Sequence, residues 1–333
     1  MSKRTPKYSI TVPVFNRPQE LEELLESLTK QSFDNFEVLV IEDGSTVPSN
    51  QIVENYKNRL RVSYYVKPNS GPGPTRNFGF EIAQGEYLVS FDSDCIIPPG
   101  YFQSVESFLN THAVDAWGGP DAGHASFTPL QQAMAYTMSS VLTTAGIRGK
   151  KTGLGTFQPR SFNMGLRRDV FRKTGGFRFD RSAEDIELSV RMRSEGLNVF
   201  LIEDAFVYHK RRATLRQFFK QVQNFGKGRV LVGRLHKGAV RIAHWLPLGF
   251  VLGLVATIFS LASIPKLGVL FAFVYLAYFA ALMVDAFRHS GSLQVAVLVV
   301  PSALVQLTGY AIGFAGEWVR QTKPATTATE NQP

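Results

Sequence analysis

Three stretches toward the end of the chain, residues 245–263, 267–284 and 293–316, contain no charged side chain. Each approaches the run of about 20 apolar residues that a helix needs to cross the hydrocarbon core of a bilayer. Only Ile264-Pro265-Lys266 and residues 285–292 separate them, too little polar chain for a second soluble domain. Residues 245–316 are therefore expected to form about three transmembrane helices, with a polar tail over 317–333. Trp245, Lys266, Arg288, Trp318 and Arg320 stand at the ends of the runs, where aromatic and basic groups anchor at the membrane interface.

The net charge of +9 acquires a meaning from this neighbourhood. Lys210, Arg211, Arg212, Arg216, Lys220, Lys227, Arg229, Arg234, Lys237 and Arg241 crowd into one band, and no acid occurs between Asp204 and Asp285. The rest of the chain is close to neutral, so the basicity does not indicate nucleic acid. A band that immediately precedes the first apolar run suits anionic membrane lipid, and residues 211–244 are expected to form a basic interfacial segment. Met1 to Lys7 is polar and basic, without the long apolar core of a secretory signal. The N-terminal part is accordingly expected in the cytosol, with the chain held in the inner, cytoplasmic membrane.

Before the band the pattern alternates. Apolar runs at 9–14, 36–41, 62–66 and 87–91 read as strands. Helices are expected after Arg17-Pro18, where Leu21, Leu24, Leu25 and Leu28 fall at helical spacing, and at 52–60 and 75–83. Such alternation indicates βαβ units and a mostly parallel sheet covered on both faces. Pro13, Asp43 and Asp92 then sit at carboxyl ends of separate strands, facing one crevice. Further on, the pattern gives a helix at 101–109, a strand at 113–118, a loop at 143–157 and a strand at 162–167. A helix over 184–195, capped by Ser182, precedes extended segments at 199–202 and 205–208. The α/β domain is expected to occupy residues 1–210.

Asp92-Ser93-Asp94 closes the fourth strand with two carboxylates one residue apart. Such a pair suits a hard divalent cation that keeps a diphosphate in its shell, although a pair of solvated aspartates has the same appearance. Asp43 in Asp43-Gly44-Ser45 equally fits a turn, and Asp185 equally fits the first turn of a helix. The single cysteine, Cys95, excludes an internal disulfide and a Cys-rich metal site, and reads as a small residue filling the strand end.

The order of short motifs decides among these alternatives. Thr11-Val12-Pro13-Val14-Phe15-Asn16-Arg17, Val40-Ile41-Glu42-Asp43-Gly44-Ser45, Gly73-Pro74-Thr75-Arg76-Asn77, Phe91-Asp92-Ser93-Asp94, Trp117-Gly118-Gly119, Phe162-Asn163-Met164-Gly165 and Ala183-Glu184-Asp185 occur in sequence. Together they resemble the inverting family-2 glycosyltransferases of GT-A fold, over about residues 8–230. The resemblance implies that Pro13 and Val14 line a nucleotide pocket, that Asp43 accepts a hydrogen bond from the base, and that Arg76 lies along the donor. It implies that Asp92 holds the ribose and sugar side, that Asp94 ligates Mg²⁺ or Mn²⁺, and that Asp185 is the catalytic base. Gly119, Asn163, Glu184 and Gln221 join the implied substrate-binding set.

The implied reaction moves a sugar from a UDP- or GDP-sugar to an acceptor hydroxyl with inversion, in cell-surface glycan or glycolipid assembly. A saccharide or lipid-linked acceptor and membrane lipid are the implied partners. Alternatives are a polyprenyl-phosphate glycosyl synthase, or an inactive membrane protein that only binds nucleotide sugar. Processive polysaccharide synthases similar to this family carry Gln-x-x-Arg-Trp after the base. Here Gln221-Val222-Gln223-Asn224-Phe225 keeps only the Gln, so processive synthesis is not expected. A sugar nucleotidyltransferase would show a Gly-rich loop and a Lys after the first strand, and Val14-Phe15-Asn16-Arg17-Pro18 offers neither.

Overall fold

Two-residue alternation within the first strands sends apolar side chains to both faces of a sheet, and the rest of the N-terminal unit covers those faces. A computed structural model describes residues 5–124, 126–144 and 157–320. In chain order the elements are β1 (Tyr8–Val14), α1 (Pro18–Leu28), β2 (Phe36–Asp43), α2 (Asn50–Tyr56), β3 (Val62–Lys67), α3 (Pro72–Ile82), β4 (Tyr87–Phe91), β5 (Cys95–Ile96) and α4 (Tyr101–Leu109). There follow β6 (Ala116–Gly118), β7 (Asp121–Ala122), α5 (Pro129–Ser139), α6 (Val141–Thr144), β8 (Asn163–Arg167), α7 (Arg168–Thr174), α8 (Glu184–Ser194), β9 (Val199–Leu201) and β10 (Val207–His209). The last helices are α9 (Leu215–Leu235), α10 (Leu246–Ser263), α11 (Pro265–Ser290) and α12 (Leu293–Val319).

Seven strands form one sheet in the order β3-β2-β1-β4-β8-β6-β9. β1, β2, β3 and β4 are parallel, and β8 runs antiparallel between β4 and β6. The strand order reverses direction at β1 and β4, the place where open α/β sheets leave a crevice at their carboxyl edge. On one face Ile10, Val12, Val38, Val40 and Val89 pack against Leu21, Leu24, Leu25 and Leu28 of α1 and Phe102 of α4. On the other, Leu39, Ile41, Leu88, Met164 and Leu166 meet Phe80 of α3 and Leu188 of α8. Burial on both faces explains why β2 reads as a continuous apolar run rather than an alternating one. A small second sheet, β5-β10-β7, pairs His209 with Cys95.

Three local expectations need correction. α2 stops at Tyr56, short of Leu60, and α3 begins at Pro72 rather than Thr75, because proline fits the first turn of a helix, where its missing N–H is not needed. Ser182 does not cap α8. The N-cap is Ala183, held at φ +61° with no side-chain cap, one of two non-glycine residues with positive φ among the described residues. Most of the loop expected at 143–157 lies outside the described residues.

The chain divides into two units, Met1–Ala125 with Ile147–Lys210, and Ser126–Gly146 with Arg211–Pro333. Residues 126–146 thus depart from a continuous domain over 1–210. Ala133 of α5 is buried among Leu282, Ala286, Val295 and Val299, and its Met134 and Met138 among Phe218 and Val222, all in the helical unit. α10, α11 and α12 are each long and apolar enough to cross a membrane.

Candidate active site

The carboxyl end of β4 delivers Asp92 and Asp94 to the sheet edge, and each carboxylate meets a different cation. Asp94 is buried, with Arg17 hydrogen-bonded to Oδ2 and His209 Nε2 lying 3.1 Å from Oδ1. Arg17 comes from the turn after β1. His209 comes from β10, whose antiparallel register with β5 sets it opposite Cys95, and Lys210 N–H donates to the Asp94 carbonyl at 2.9 Å. Burial works against the charge on Asp94, but His209 and Arg17 outweigh it and hold the carboxyl well below the usual carboxylate range.

This corner fits a divalent cation. Asp94 Oδ1 is buried with His209 Nε2 as its neighbour, and ligand atoms of Asp94, Cys95 and His209 lie within 4.8 Å of one another. Carboxylate with imidazole is a donor set that suits Mn²⁺ better than Mg²⁺, which keeps to oxygen ligands. His209 was not anticipated from the sequence; the signal available was a lone His at the end of a short extended segment.

Asp92 is fastened from the side. Arg76 is almost fully buried on α3 and spreads its fork in three directions: Nε to Ser90 Oγ at 3.0 Å, Nη2 to Asp92 Oδ1 at 2.6 Å and Nη1 to Glu184 Oε1 at 3.0 Å. Burial by itself would lower its basicity, and the two carboxylates reverse that. Arg76 thus ties the end of β4 to the start of α8.

Glu184 and Asp185 open α8 but turn to different partners. Glu184 faces Arg76, and burial together with the neighbouring Asp185 charge pushes its carboxyl up to about 7, against the pull of Arg76. Asp185 accepts N–H bonds from Ile186 at 2.7 Å and Ser161 at 3.3 Å, and Arg160 Nη1 lies 3.7 Å away. Adjacent helical residues point about 100° apart, which accounts for the division.

The remaining expected residues occupy varied environments. Val14 is buried at the end of β1 and Pro13 is half-buried beside it. The next loop is stitched by Asn16, whose Oδ1 accepts N–H bonds from Thr46 at 2.8 Å and Val47 at 3.0 Å. Asp43 accepts from Lys67 Nζ and the N–H groups of Ser70 and Gly71, each at 2.9 Å, so it shapes the turn before α3. Burial raises its pKa, but these donors prevail and hold it below the ordinary value. Asn163 is wholly buried, donating to Ala205 O at 2.8 Å and accepting from Tyr101 at 2.7 Å. A Cβ on Gly119 would fall 1.7 Å from Ala205 O, so this glycine is required by close packing. Asn163 and Gly119 thus both pack against the Ala205 carbonyl. Gln221 lies on α9 in the helical unit.

Residues 9–175, about half of the chain, match the sequence profile of the family described as Glycosyl transferase family 2. Poly(ribitol-phosphate) β-N-acetylglucosaminyltransferase TarS of Staphylococcus aureus is 39% identical over 113 residues, which are 33% of this chain and 20% of TarS. The putative glycosyltransferase EpsH of Bacillus subtilis is 38% identical over 104 residues, 30% of each protein. The chain therefore spans well under half the length of these relatives. Among solved structures, the mannosyltransferase PcManGT from Pyrobaculum calidifontis, in complex with GDP-Man and Mn²⁺, has a TM-score of 0.63 at 18% identity, covering 92% of this chain and 88% of that one. The likeness establishes the GT-A fold, and the chain belongs to glycosyl transferase family 2.

Proposed function

We propose that the chain is a membrane-associated, metal-dependent glycosyltransferase that moves a sugar from a nucleoside-diphosphate donor to an acceptor hydroxyl with inversion. The observation that carries this reading is the Asp92–Arg76–Glu184 chain of ion pairs, at 2.6 and 3.0 Å, which holds the donor end of the site in fixed relation to Asp185. Asp94 and His209 would hold a divalent cation. When bound, that cation supplies Lewis-acid stabilisation to a departing diphosphate.

The chain's own residues do the rest. Asp185 takes the proton of the acceptor hydroxyl as its oxygen bonds to the anomeric carbon and the bond from that carbon to the diphosphate oxygen breaks. One base and one leaving group mean a single displacement, hence inversion, comparable to the geometry of inverting glycosidases. Arg76 keeps Asp92 and the start of α8 in register, and the buried wall of Asn163 and Gly119 keeps the crevice rigid. Asp43 orders the turn at 69–71 beside the nucleotide end.

PcManGT binds GDP-Man with Mn²⁺ and TarS transfers N-acetylglucosamine. A UDP- or GDP-sugar with Mn²⁺ or Mg²⁺ is accordingly the donor class proposed here. The apolar helices favour a polyprenyl-linked saccharide as acceptor, with polyprenyl phosphate second. The arrangement proposed is an α/β domain ending near residue 210, a basic segment over 211–244 and a membrane region after it, with the α/β domain in the cytosol at the inner membrane. The test is incubation of the purified full-length chain with a panel of nucleotide sugars and Mn²⁺ or Mg²⁺, reading released nucleoside diphosphate. Metal-dependent release from one donor supports the reading. Absence of release across the panel would leave nucleotide-sugar binding without catalysis.

A further inference from the structure

We propose that only α10 and α11 cross the bilayer, and that α12 lies along its surface on the side from which α10 starts. The three candidate spans are not alike: 11% of the apolar window is buried in α10 and in α11, against 50% in α12. Lipid would cover the first two, whereas half of α12 is already covered by protein.

The relative heights of these helices carry the inference. α10 and α11 form an antiparallel hairpin that turns at Ile264, since Tyr275 donates to Phe250 O at 2.7 Å and the Phe250 ring meets Tyr275, Tyr278 and Phe279. Counting back from Phe250, Trp245 at the start of α10 stands level with about Leu282 of α11. Leu282 and Ala286 pack against Val295, Ala296 and Val299 at the beginning of α12. Trp245 itself stacks edge-on against Phe314 and Trp318 near the end of α12, with ring centroids 4.9 Å apart in both pairs. The two contact regions of α12 are about 28 Å apart at 1.5 Å per residue, yet both lie at the height of α10's start. A helix crossing beside the hairpin would have placed its far end next to Ile264.

The companion of α12 leads to the same placement. Its second half lies against α9 so closely that a Cβ on Gly313 would come 2.0 Å from Gln223 O, and one on Gly226 would come 2.3 Å from Tyr310 O. Arg234 Nη1 reaches Glu317 Oε1 at 2.9 Å. α9 also carries Arg216, Lys220 and Lys227, and a helix so charged does not pass through hydrocarbon beside its partner. On α12 the exposed residues Leu293, Val297, Ile312, Trp318 and Val319 fall within about 120° of one face at 100° per residue, opposite the face that α9 and α5 cover. An apolar strip of this kind suits the boundary between headgroups and acyl chains. The basic residues before α10 and Arg320 after α12 then share one side of the membrane, where anionic lipid favours them.

This inference stands whether or not the chain transfers sugar, and its test is topological. Reporters are attached to the full chain in a bacterial membrane. A fluorescent protein fused after Pro333 is expected to fluoresce, and alkaline phosphatase fused there to be inactive, matching reporters at the N-terminus. Alkaline phosphatase inserted at the Ile264 turn is expected to be active. An independent check places a single thiol with Thr322→Cys in a Cys95→Ser background and labels sealed vesicles with an impermeant maleimide. Thr322→Cys should label from the same side as a thiol placed near the N-terminus. Phosphatase activity after Pro333, or labelling from the opposite side, overturns the inference in favour of three crossings. A turn reporter on the N-terminal side overturns it in favour of none.

Discussion

Arg76 Nη1 lies 3.0 Å from Glu184 Oε1, so the residue immediately before the proposed base is fastened to the same guanidinium that holds Asp92. Three ionisable groups share one junction, and the protonation of Glu184 bears on its stability. Glu184 has a folded-state pKa of about 7, above its ordinary value, because of burial and Asp185. An acid shifted upward binds more protons when folded than when unfolded, so its contribution to stability is present at low pH and declines as pH rises from about 4.5 toward 7. Glu184→Gln retains an oxygen for Arg76 and removes the titration. The melting temperature of the variant relative to wild type should therefore rise between pH 5 and pH 8. A difference that stays flat with pH would show that Glu184 does not titrate in this window.

Replacement of the proposed base should separate binding from chemistry. Asp185→Asn preserves size and most hydrogen bonding but cannot take the acceptor proton. Loss of a positioned base costs about 10² to 10⁴ in rate, or roughly 3 to 5 kcal/mol. Transfer should fall by that order while donor and Mn²⁺ affinities stay near those of wild type, and Glu184→Gln should lose less. Near-normal transfer in Asp185→Asn with collapse in Glu184→Gln would move the base by one residue.

Asp94 and His209 should act together on the cation. In Asp94→Ala, affinity for UDP or GDP is expected to become insensitive to added Mn²⁺. His209→Ala, which keeps the carboxylate, should raise the Mn²⁺ concentration needed for half-maximal nucleotide binding by about 10- to 100-fold, comparable to losses of supporting groups at metal sites. Calorimetric titration with nucleoside diphosphate at several Mn²⁺ concentrations reads both. An unchanged Mn²⁺ dependence in His209→Ala would remove this residue from the site.

Asp43 should behave first as a structural residue. Asp43→Asn weakens the link to Lys67 and to the N–H groups of Ser70 and Gly71, at a cost of about 1 to 3 kcal/mol. The native carboxyl is held below its ordinary pKa, so the stability it adds is present above about pH 4 and is lost as pH falls through the lower folded value. The gap in melting temperature between wild type and Asp43→Asn should be largest near neutrality and narrow in acid. A nucleotide affinity that fell with no change in melting temperature would instead assign Asp43 to the base alone.

Local pattern reveals a residue's place when its neighbours in sequence are also its neighbours in the fold. The runs that became β1, β2 and β4, the leucines of α1 and the strand-end position of Asp92 and Asp94 were legible for this reason. His209 was not, because its approach to Asp94 depends on the pairing of two very short strands, β5 and β10, separated by more than a hundred residues. Arg76 was found as a motif residue, without its protein partners. Only tertiary packing shows the guanidinium enclosed between Ser90, Asp92 and Glu184. The allegiance of α5 was equally hidden, since Ala133, Met134 and Met138 choose their partners from helices later in the chain. The apolar length of α12 marked it as a span, and what argues otherwise is the level at which its two ends meet Leu282 and Trp245.

The brevity of α10 has a consequence for the lipid around it. Its 18 residues measure about 27 Å at 1.5 Å per residue, and the uncharged part of α11 over 267–284 is no longer. A typical hydrocarbon core is about 30 Å thick. A hairpin crossing at this length would have no excess to absorb by tilting, so the surrounding bilayer would thin to meet it, at a cost that grows with each ångström of mismatch. The protein would consequently partition toward thinner, more deformable regions of membrane, and longer-chain lipids would penalise its insertion before they affected anything at the sheet edge.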